Sequence, residues 1–180
     1  CIGGKTTEYH NEYTAPNWLA FRLTDDNKFE FLGKEGYFER TAIHHWDFDS
    51  EEEKELQEMQ EGYEKNKANF EKYGLLVSLQ YPEYNGKPNF TKFLDHLGGD
   101  ILSGNWQGAI DYDQYPKAFD MKLEYENQSS PDWIKISYQG NPFYFIADTA
   151  SYDWCKGHID GIIMLYEPVS RIVLYTFDYS

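Results

Sequence analysis

Cys155, His158 and Asp160 place a thiol, an imidazole and a carboxylate close together in the sequence. All three groups are zinc ligands, and an imidazole can also activate a nearby thiol for nucleophilic attack. A structural zinc site requires four ligands, so a site here would need His44 and His45 to be delivered by the fold. Residues three apart in a loop rarely reach an attack geometry. We therefore expect neither a metal site nor a catalytic residue here, and interpret Cys155 as a partly buried loop cysteine.

His44 and His45 belong to a second cluster, which continues with Trp46 and Asp47. Adjacent residues at the end of a strand point to opposite faces, so at most one of the two imidazole rings can face a shared site. Asp47 and Asp49 are better interpreted as caps of the helix that follows.

Acidic pairs raise the hypothesis of a glycosidase, which needs two carboxyl groups across the scissile bond. Asp111 and Asp113 with Glu124 and Glu126 are such a set. The chain has 31 acidic residues, so pairs of this kind arise by chance. We therefore expect no catalytic carboxylates and no cofactor.

Aromatic side chains form the main candidate binding set. Exposed planar rings beside acidic groups can stack on sugars or bind a protein partner. The set comprises Trp106, Tyr112, Tyr115, Trp133, Tyr152 and Trp154, with Asp111 and Asp113 among them. Aromatic residues that alternate along strands are usually core residues, so the alternative is that these rings are buried.

The charge of the chain limits its partners. Its 31 acidic and 16 basic side chains give a formal net charge of −15, which repels nucleic-acid phosphates. The chain has only three arginines, Arg22, Arg40 and Arg171, for bidentate phosphate contacts. Nucleic-acid binding is therefore not expected, whereas the same charge attracts a basic protein. The alternative is that acidity only keeps an aromatic-rich protein soluble.

Two cysteines, Cys1 and Cys155, do not make a disulfide framework, which favours a reducing compartment and a cytoplasmic location. The longest apolar stretches, such as residues 162–166, are too short to span a bilayer. A bacterial lipoprotein also begins with Cys followed by a polar tether. An envelope lipoprotein anchored through Cys1 is therefore the alternative location, with residues 1–16 as a candidate tether.

The first half of the chain shows strand and helix signals. Residues 18–23 and 28–32 predict a hairpin across a Thr-Asp-Asp-Asn turn, and residues 37–43 predict a third strand. Ser50 and Glu53 match a capping box, and Gly74 follows the last periodic residue, so a helix is predicted over residues 51–73.

That helix is predicted to be amphipathic. Five residues share one face and should pack against the rest of the protein: Leu56, Met59, Tyr63, Phe70 and Tyr73. The other face carries Glu55, Glu58, Glu61 and Glu64 and should be solvated. Gly62 costs about 1 kcal/mol relative to alanine in a helix, which indicates a close packing contact.

The second half alternates strands and turns. Residues 75–81 predict a buried strand followed by a loop at 85–88, and residues 90–97 predict a short helix capped by Asn89. Further strands are predicted over 119–125, 133–138, 143–147, 162–166 and 171–177. The fold class is therefore α+β: a twisted, mostly antiparallel sheet with one long amphipathic helix packed on it and a C-terminal β-meander, in a single domain over residues 1–180.

Short motifs of the second half are similar to a bacterial family. They lie at residues 97–99, 104–107, 143–147, 157–168 and 176–180, and they resemble the second half of YwqG-like proteins. The opening Ile2-Gly3-Gly4-Lys5 is similar to the Ile-Gly-Gly-x-Pro start of that family, although Thr6 stands where the family has proline. The resemblance implies a mixed α/β fold and a small bacterial binding domain of immunity type, without established catalytic residues.

We therefore expect a non-enzymatic acidic binding protein that engages a basic protein partner, with an immunity-type inhibitor of a bacterial toxin as the specific form. A carbohydrate-binding or envelope lipoprotein module is the alternative, and a hydrolase using Cys155 and His158 is the third hypothesis.

Overall fold

A computed structural model describes residues 3–38, 50–101, 104–106, 118–124 and 133–179 of the chain. It has the predicted α+β class, with one long helix, antiparallel sheets and a C-terminal strand meander. The helices are α1 (Ser50–Tyr73) and α2 (Ser151–Cys155), and two 3-10 turns cover Thr7–Tyr9 and Glu35–Tyr37. The strands are β1 (Thr14–Ala15), β2 (Trp18–Leu23), β3 (Phe29–Phe31), β4 (Leu76–Val77), β5 (Glu83–Tyr84), β6 (Lys87–Pro88), β7 (Phe90–Thr91), β8 (His96–Leu97), β9 (Asp120–Glu124), β10 (Trp133–Tyr138), β11 (Asn141–Pro142), β12 (Tyr144–Thr149), β13 (Gly161–Glu167) and β14 (Ile172–Asp178).

The main sheet has the order β1-β2-β14-β13-β12-β8, and β3 also pairs with β2. All the strand pairings among the described residues are antiparallel. The predicted hairpin of β2 and β3 and the predicted C-terminal pair of β13 and β14 are both confirmed. The turn between β13 and β14 is fixed by the buried Glu167, whose carboxylate accepts hydrogen bonds from the backbone N–H groups of Val169 (2.6 Å) and Ser170 (2.8 Å).

Both faces of the main sheet are covered at its central strands, where successive residues are apolar and buried. In β2, Trp18 and Ala20 belong to one core cluster while Leu19 belongs to the other. Side chains of a strand alternate between faces, so consecutive apolar residues require a cover on each side. The first cluster also includes Ile134 and Ile136 of β10, which forms a three-stranded sheet with β9 and β11.

The second face is covered in part by Tyr37, which is fully buried and donates a hydrogen bond to the Ala15 carbonyl oxygen (2.9 Å). The strand predicted over residues 37–43 is wrong at its start, because Tyr37 ends the 3-10 turn Glu35–Tyr37. Residues 39–43 lie outside the described residues. Tyr37 is buried although it lies in a turn, so its apolar character does not indicate a strand.

The long helix is confirmed, but its packing differs from the prediction. Its main contacts are with α2 and β4, not with a face of the main sheet. Its most buried residues are Gly62 and Asn66, whereas Tyr63 and Tyr73, predicted to be packed, are exposed. The glutamates Glu55, Glu58, Glu61 and Glu64 are exposed as predicted, and the Ser50 side chain of the capping box lies outside the described residues.

Gly62 makes the predicted close contact. A Cβ atom at this position would lie 3.1 Å from Leu79 Cδ1 and 3.3 Å from the Cys155 backbone. The absence of a side chain therefore lets α1 approach α2 at backbone distance.

Asn66 joins three elements through one buried side chain. Its Nδ2 donates to the Asp153 carbonyl oxygen of α2 (2.6 Å), and its Oδ1 accepts from the Val77 N–H of β4 (3.1 Å). Asn69 Nδ2 donates to the same Oδ1 (3.1 Å). Buried backbone groups must be hydrogen-bonded, so this amide replaces the strand or helix partners that the Asp153 and Val77 groups lack.

The segment between α1 and β8 departs from the sequence reading. The strand predicted over 75–81 is limited to β4, and the helix predicted over 90–97 is wrong, since β7 and β8 lie there. Asn89 does not cap a helix: its Nδ2 donates to the Tyr81 carbonyl oxygen (2.9 Å) and its N–H to that of Pro82 (2.9 Å). These bonds close the hairpin of β5 and β6 and extend the chain so that β7 can pair with β4.

Among the described residues, no helix has the length and apolar character needed to cross a membrane.

Substitution of Asn66 tests the role of its amide. We expect Asn66→Ala to lower the free energy of unfolding by about 2–4 kcal/mol, because the Asp153 carbonyl and the Val77 N–H then lose a buried partner. The exposed Gln57→Ala on the same helix should cost less than about 0.5 kcal/mol. Urea unfolding of both variants measures the difference, and equal losses would contradict the assignment.

Candidate functional site

Six aromatic rings lie in two contact groups along α1, one where the helix meets α2 and the segment after β7, and one at the end of the helix beside β7. We call this set the aromatic surface: Tyr63, Phe70, Tyr73, Phe90, Phe93 and Trp154. Ring centroids lie 6.4 Å apart for Tyr63 and Trp154, 5.8 Å for Phe70 and Trp154, and 4.9 Å for Phe70 and Phe93. The Tyr73 and Phe90 centroids are 5.3 Å apart. Three separate segments of the chain thus supply the first group, and α1 and β7 supply the second.

The Trp154 ring is held in place by its indole N–H. Nε1 lies 3.2 Å from Thr149 Oγ1 and 3.3 Å from the Phe93 carbonyl oxygen, and Thr149 Oγ1 donates to the same carbonyl (3.0 Å). These bonds connect α2, β12 and the segment after β7. The orientation of the ring is therefore fixed before any partner arrives, which reduces the entropy lost on binding.

The aromatic surface is accessible to solvent. Tyr73 is 44% exposed, Phe90 42%, Tyr63 40% and Phe93 36%, while Phe70 and Trp154 are half-buried. Single exposed apolar residues are ordinary, but contiguous groups mark interaction sites, and aromatic rings supply much of the affinity in protein interfaces.

Acidic groups border the aromatic surface. Helix α1 carries eight glutamates against four lysines. On α2, Asp153 is half-buried, and among the described residues its carboxylate has no hydrogen-bond or ion-pair partner. Burial and then the charge of Asp95 raise the pKa of Asp153. The pKa of the exposed Tyr152 is raised by desolvation and then by the charges of Asp153, Asp95 and Asp160, so the potential around this ring is negative.

A cleft of about 520 Å³ lies next to these groups. It is lined by Ser78, Leu79, Gln80, Tyr152, Asp153 and Lys156. Lys156 Nζ lies 3.7 Å from Glu58 Oε2, so its charge is paired with the helix. The cleft is thus lined by an exposed phenol ring and by an aspartate whose carboxylate is unpaired among the residues that the structure describes.

The structure separates the predicted binding residues. Tyr152 (52% exposed) and Trp154 lie at the surface. The prediction of Trp106 as a binding residue is wrong. Trp106 is 1% exposed and packs against Trp18 in the core, so it is not a surface ring. Trp133 starts β10, but its side chain lies outside the described residues.

Other predicted residues lie outside the described part of the chain. They are the binding candidates Asp111, Tyr112, Asp113 and Tyr115, the acidic Glu126 and the cluster His44, His45, Trp46 and Asp47 with Asp49.

Among the described residues, the Cys155 thiol and the His158 ring are not in contact. The Cys155 thiol lies 3.3 Å from the Ser151 carbonyl oxygen, and burial raises its pKa, which disfavours the thiolate needed for attack. His158 is exposed, and among the described residues no group of three His, Cys, Asp or Glu side chains is arranged to hold a metal ion.

Sequence reading missed one imidazole–carboxylate pair. His96 Nδ1 lies 2.9 Å from Asp148 Oδ1, and the His96 backbone N–H donates to the same oxygen (2.8 Å). The pair borders a cleft of about 280 Å³ with the apolar Ile101, Phe145 and Ile163. The described residues lining this cleft carry neither a hydroxyl nor a thiol, so the pair has no nucleophile to activate there.

The aromatic surface itself was only partly predictable. Tyr63 and Phe70 were assigned to the buried stripe of α1, and Phe93 to a short helix. A signal was present in Tyr73, Phe90 and Phe93, because the segments that carry them lie on either side of the strand and loop predicted over residues 75–88.

Comparisons with protein-family models, curated proteins and solved structures found no match. The resemblance to YwqG-like proteins therefore stays a prediction.

Asp153 gives a test that depends on pH. A carboxyl group whose pKa is raised in the folded state destabilises the fold as pH rises above its ordinary value of 3.8. We expect Asp153→Asn to raise the free energy of unfolding at pH 7, and the gain to disappear as the pH falls below about 3.8.

The matched control is the exposed Asp120→Asn on β9. It should change stability little at either pH. Urea unfolding at both pH values measures the effect, and a loss of stability in Asp153→Asn at pH 7 would contradict the sign.

Proposed function

We propose that this protein is a non-enzymatic binding protein that engages a basic protein partner through the aromatic surface and the acidic groups beside it. The observation that carries the proposal is that exposed rings are grouped along α1: Tyr63 and Phe93 belong to one group with Phe70 and Trp154, and Tyr73 and Phe90 form a second. These four exposed rings are each more than one-third exposed. Rings that a stable fold leaves in water provide apolar area that a partner can bury.

The charge of the chain supports a basic partner. A net charge of −15 and the glutamates of α1 attract cations over distances of about 8 Å at physiological ionic strength. Charge of this kind raises the association rate and excludes acidic partners, while the rings supply most of the affinity.

A cationic bacterial toxin is the specific partner that we propose, which makes the protein an immunity-type inhibitor. The support for this form is the predicted resemblance to YwqG-like proteins and the acidic, aromatic character of the surface. Inhibition would follow from coverage of the toxin's basic surface, and requires no bond to be made or broken.

Capture from cells that encode the protein tests the proposal. We expect a basic protein to be retained at about 0.05 M salt and its association to slow strongly at about 0.5 M, since screening shortens the range of the charges. Tyr63→Ala and Phe93→Ala should each weaken binding of that protein by about ten-fold or more, because truncated interface rings lose buried area.

Tyr144→Ala is the matched control: Tyr144 is 56% exposed and lies at the end of β12 remote from α2. Its binding should equal that of the wild type. Far-ultraviolet circular dichroism confirms that each variant is folded. A captured protein that is acidic, or that binds Tyr63→Ala and Phe93→Ala like the wild type, would exclude this surface as the site.

A further inference from the structure

The cleft beside α2 differs from the aromatic surface in shape and chemistry. The aromatic surface is formed by packed rings, whereas the cleft is a concavity of about 520 Å³ bounded by residues 78–80 on one side and by Tyr152, Asp153 and Lys156 on the other. A concave site can enclose a single side chain of a partner, which a surface of rings cannot.

Two groups of the cleft select the chemistry of that side chain. Tyr152 is 52% exposed, so a face of its ring is available for contact with a cation. The Asp153 carboxylate has no partner among the described residues, and a half-buried carboxylate gains most from a cation that also donates hydrogen bonds.

Nearby charges favour a cation over an anion. Asp95 and Asp160 act on Tyr152 together with Asp153, which makes the local potential negative. Lys156 is the basic residue of the cleft lining, and its ammonium group is directed to Glu58 at 3.7 Å. The ammonium group therefore makes its ion pair with Glu58 and not with Asp153.

We infer that this cleft receives an arginine side chain of the basic partner, with the guanidinium stacked on Tyr152 and hydrogen-bonded to Asp153. Arginine fits better than lysine because its planar guanidinium can stack on a ring and donate two parallel hydrogen bonds to one carboxylate. A second copy of this chain is a poor occupant, since two molecules of net charge −15 repel each other. The inference rests on the proposed function and names the group that the cleft recognises.

A nuclear magnetic resonance titration tests the inference with a defined probe. Nα-acetylarginine N-methylamide is added to the ¹⁵N-labelled protein, and its citrulline analogue, which has the same shape without the charge, is added to a second sample. We expect saturable shifts confined to the amides of residues 78–80 and 152–156 with the arginine probe, and none with citrulline.

Three variants resolve the contributions to binding. Asp153→Asn should lower the affinity for the arginine probe by about three-fold or more, because it removes a negative charge from the cleft. Lys156→Gln should raise that affinity, because it removes a positive charge. Asp120→Asn, an exposed aspartate on β9, should bind like the wild type. Equal shifts with citrulline, shifts spread over the molecule, or equal affinities of Asp153→Asn and Asp120→Asn would overturn the inference.

The outcome is separable from that of the proposed function. If the arginine probe does not bind at the cleft but Tyr63→Ala and Phe93→Ala still lose the captured partner, only the inference about arginine is wrong. If those ring variants still bind the partner and the probe binds at the cleft, the aromatic surface is not the binding site of the partner, and the inference that the cleft binds a cation is retained.

Discussion

The side-chain amide of Asn66 joins α1 to α2 and to β4, three elements that lie outside the main sheet. Helix α1 packs chiefly on α2 and β4, and the amide bonds to a backbone group of each, at 2.6 Å and 3.1 Å. Gly62, one turn earlier, lets the backbones approach closely enough for these bonds to form. An amide is well suited to this position because it offers a donor and an acceptor at once, and neither neighbour needs to be charged.

The docking of α1 through Asn66 and Gly62 determines where the aromatic rings lie. Tyr63 and Phe70 reach Trp154 only because α1 is docked on α2, and Phe93 reaches Phe70 because the segment after β7 runs beside the helix. A polar contact in the interior therefore controls an apolar surface on the exterior. The same docking sets the cleft, since its walls are residues 78–80 and α2.

The sequence predicted the regular parts of the fold and few of the relationships between them. The hairpin of β2 and β3, the helix α1 and the pair β13 and β14 each carry a local signal of alternation, capping or turn residues, and each is confirmed. The helix predicted at 90–97 is wrong because Asn89 satisfies backbone groups of Tyr81 and Pro82 instead, a choice set by the neighbouring hairpin.

The binding residues were predicted less well, for a related reason. Burial of an aromatic residue depends on which elements cover it, so local sequence does not distinguish the buried Trp106 from the exposed Tyr152. The buried position of Asn66 could not be predicted either. A polar residue is recognised as buried only when the packed face of its helix is known, and the predicted face was not the one that packs.

The contacts of helix α1 are concentrated on α2 and β4 rather than on the large sheet, so the helix can undock without disrupting the strand pairings of that sheet. Docked and undocked forms of such a helix are in equilibrium, with a free energy smaller than that of global unfolding. A ligand that touches rings of α1 and of the segment after β7 together stabilises only the docked form. Association and helix docking are thus thermodynamically linked, so occupancy of the surface would slow amide hydrogen exchange along the whole helix.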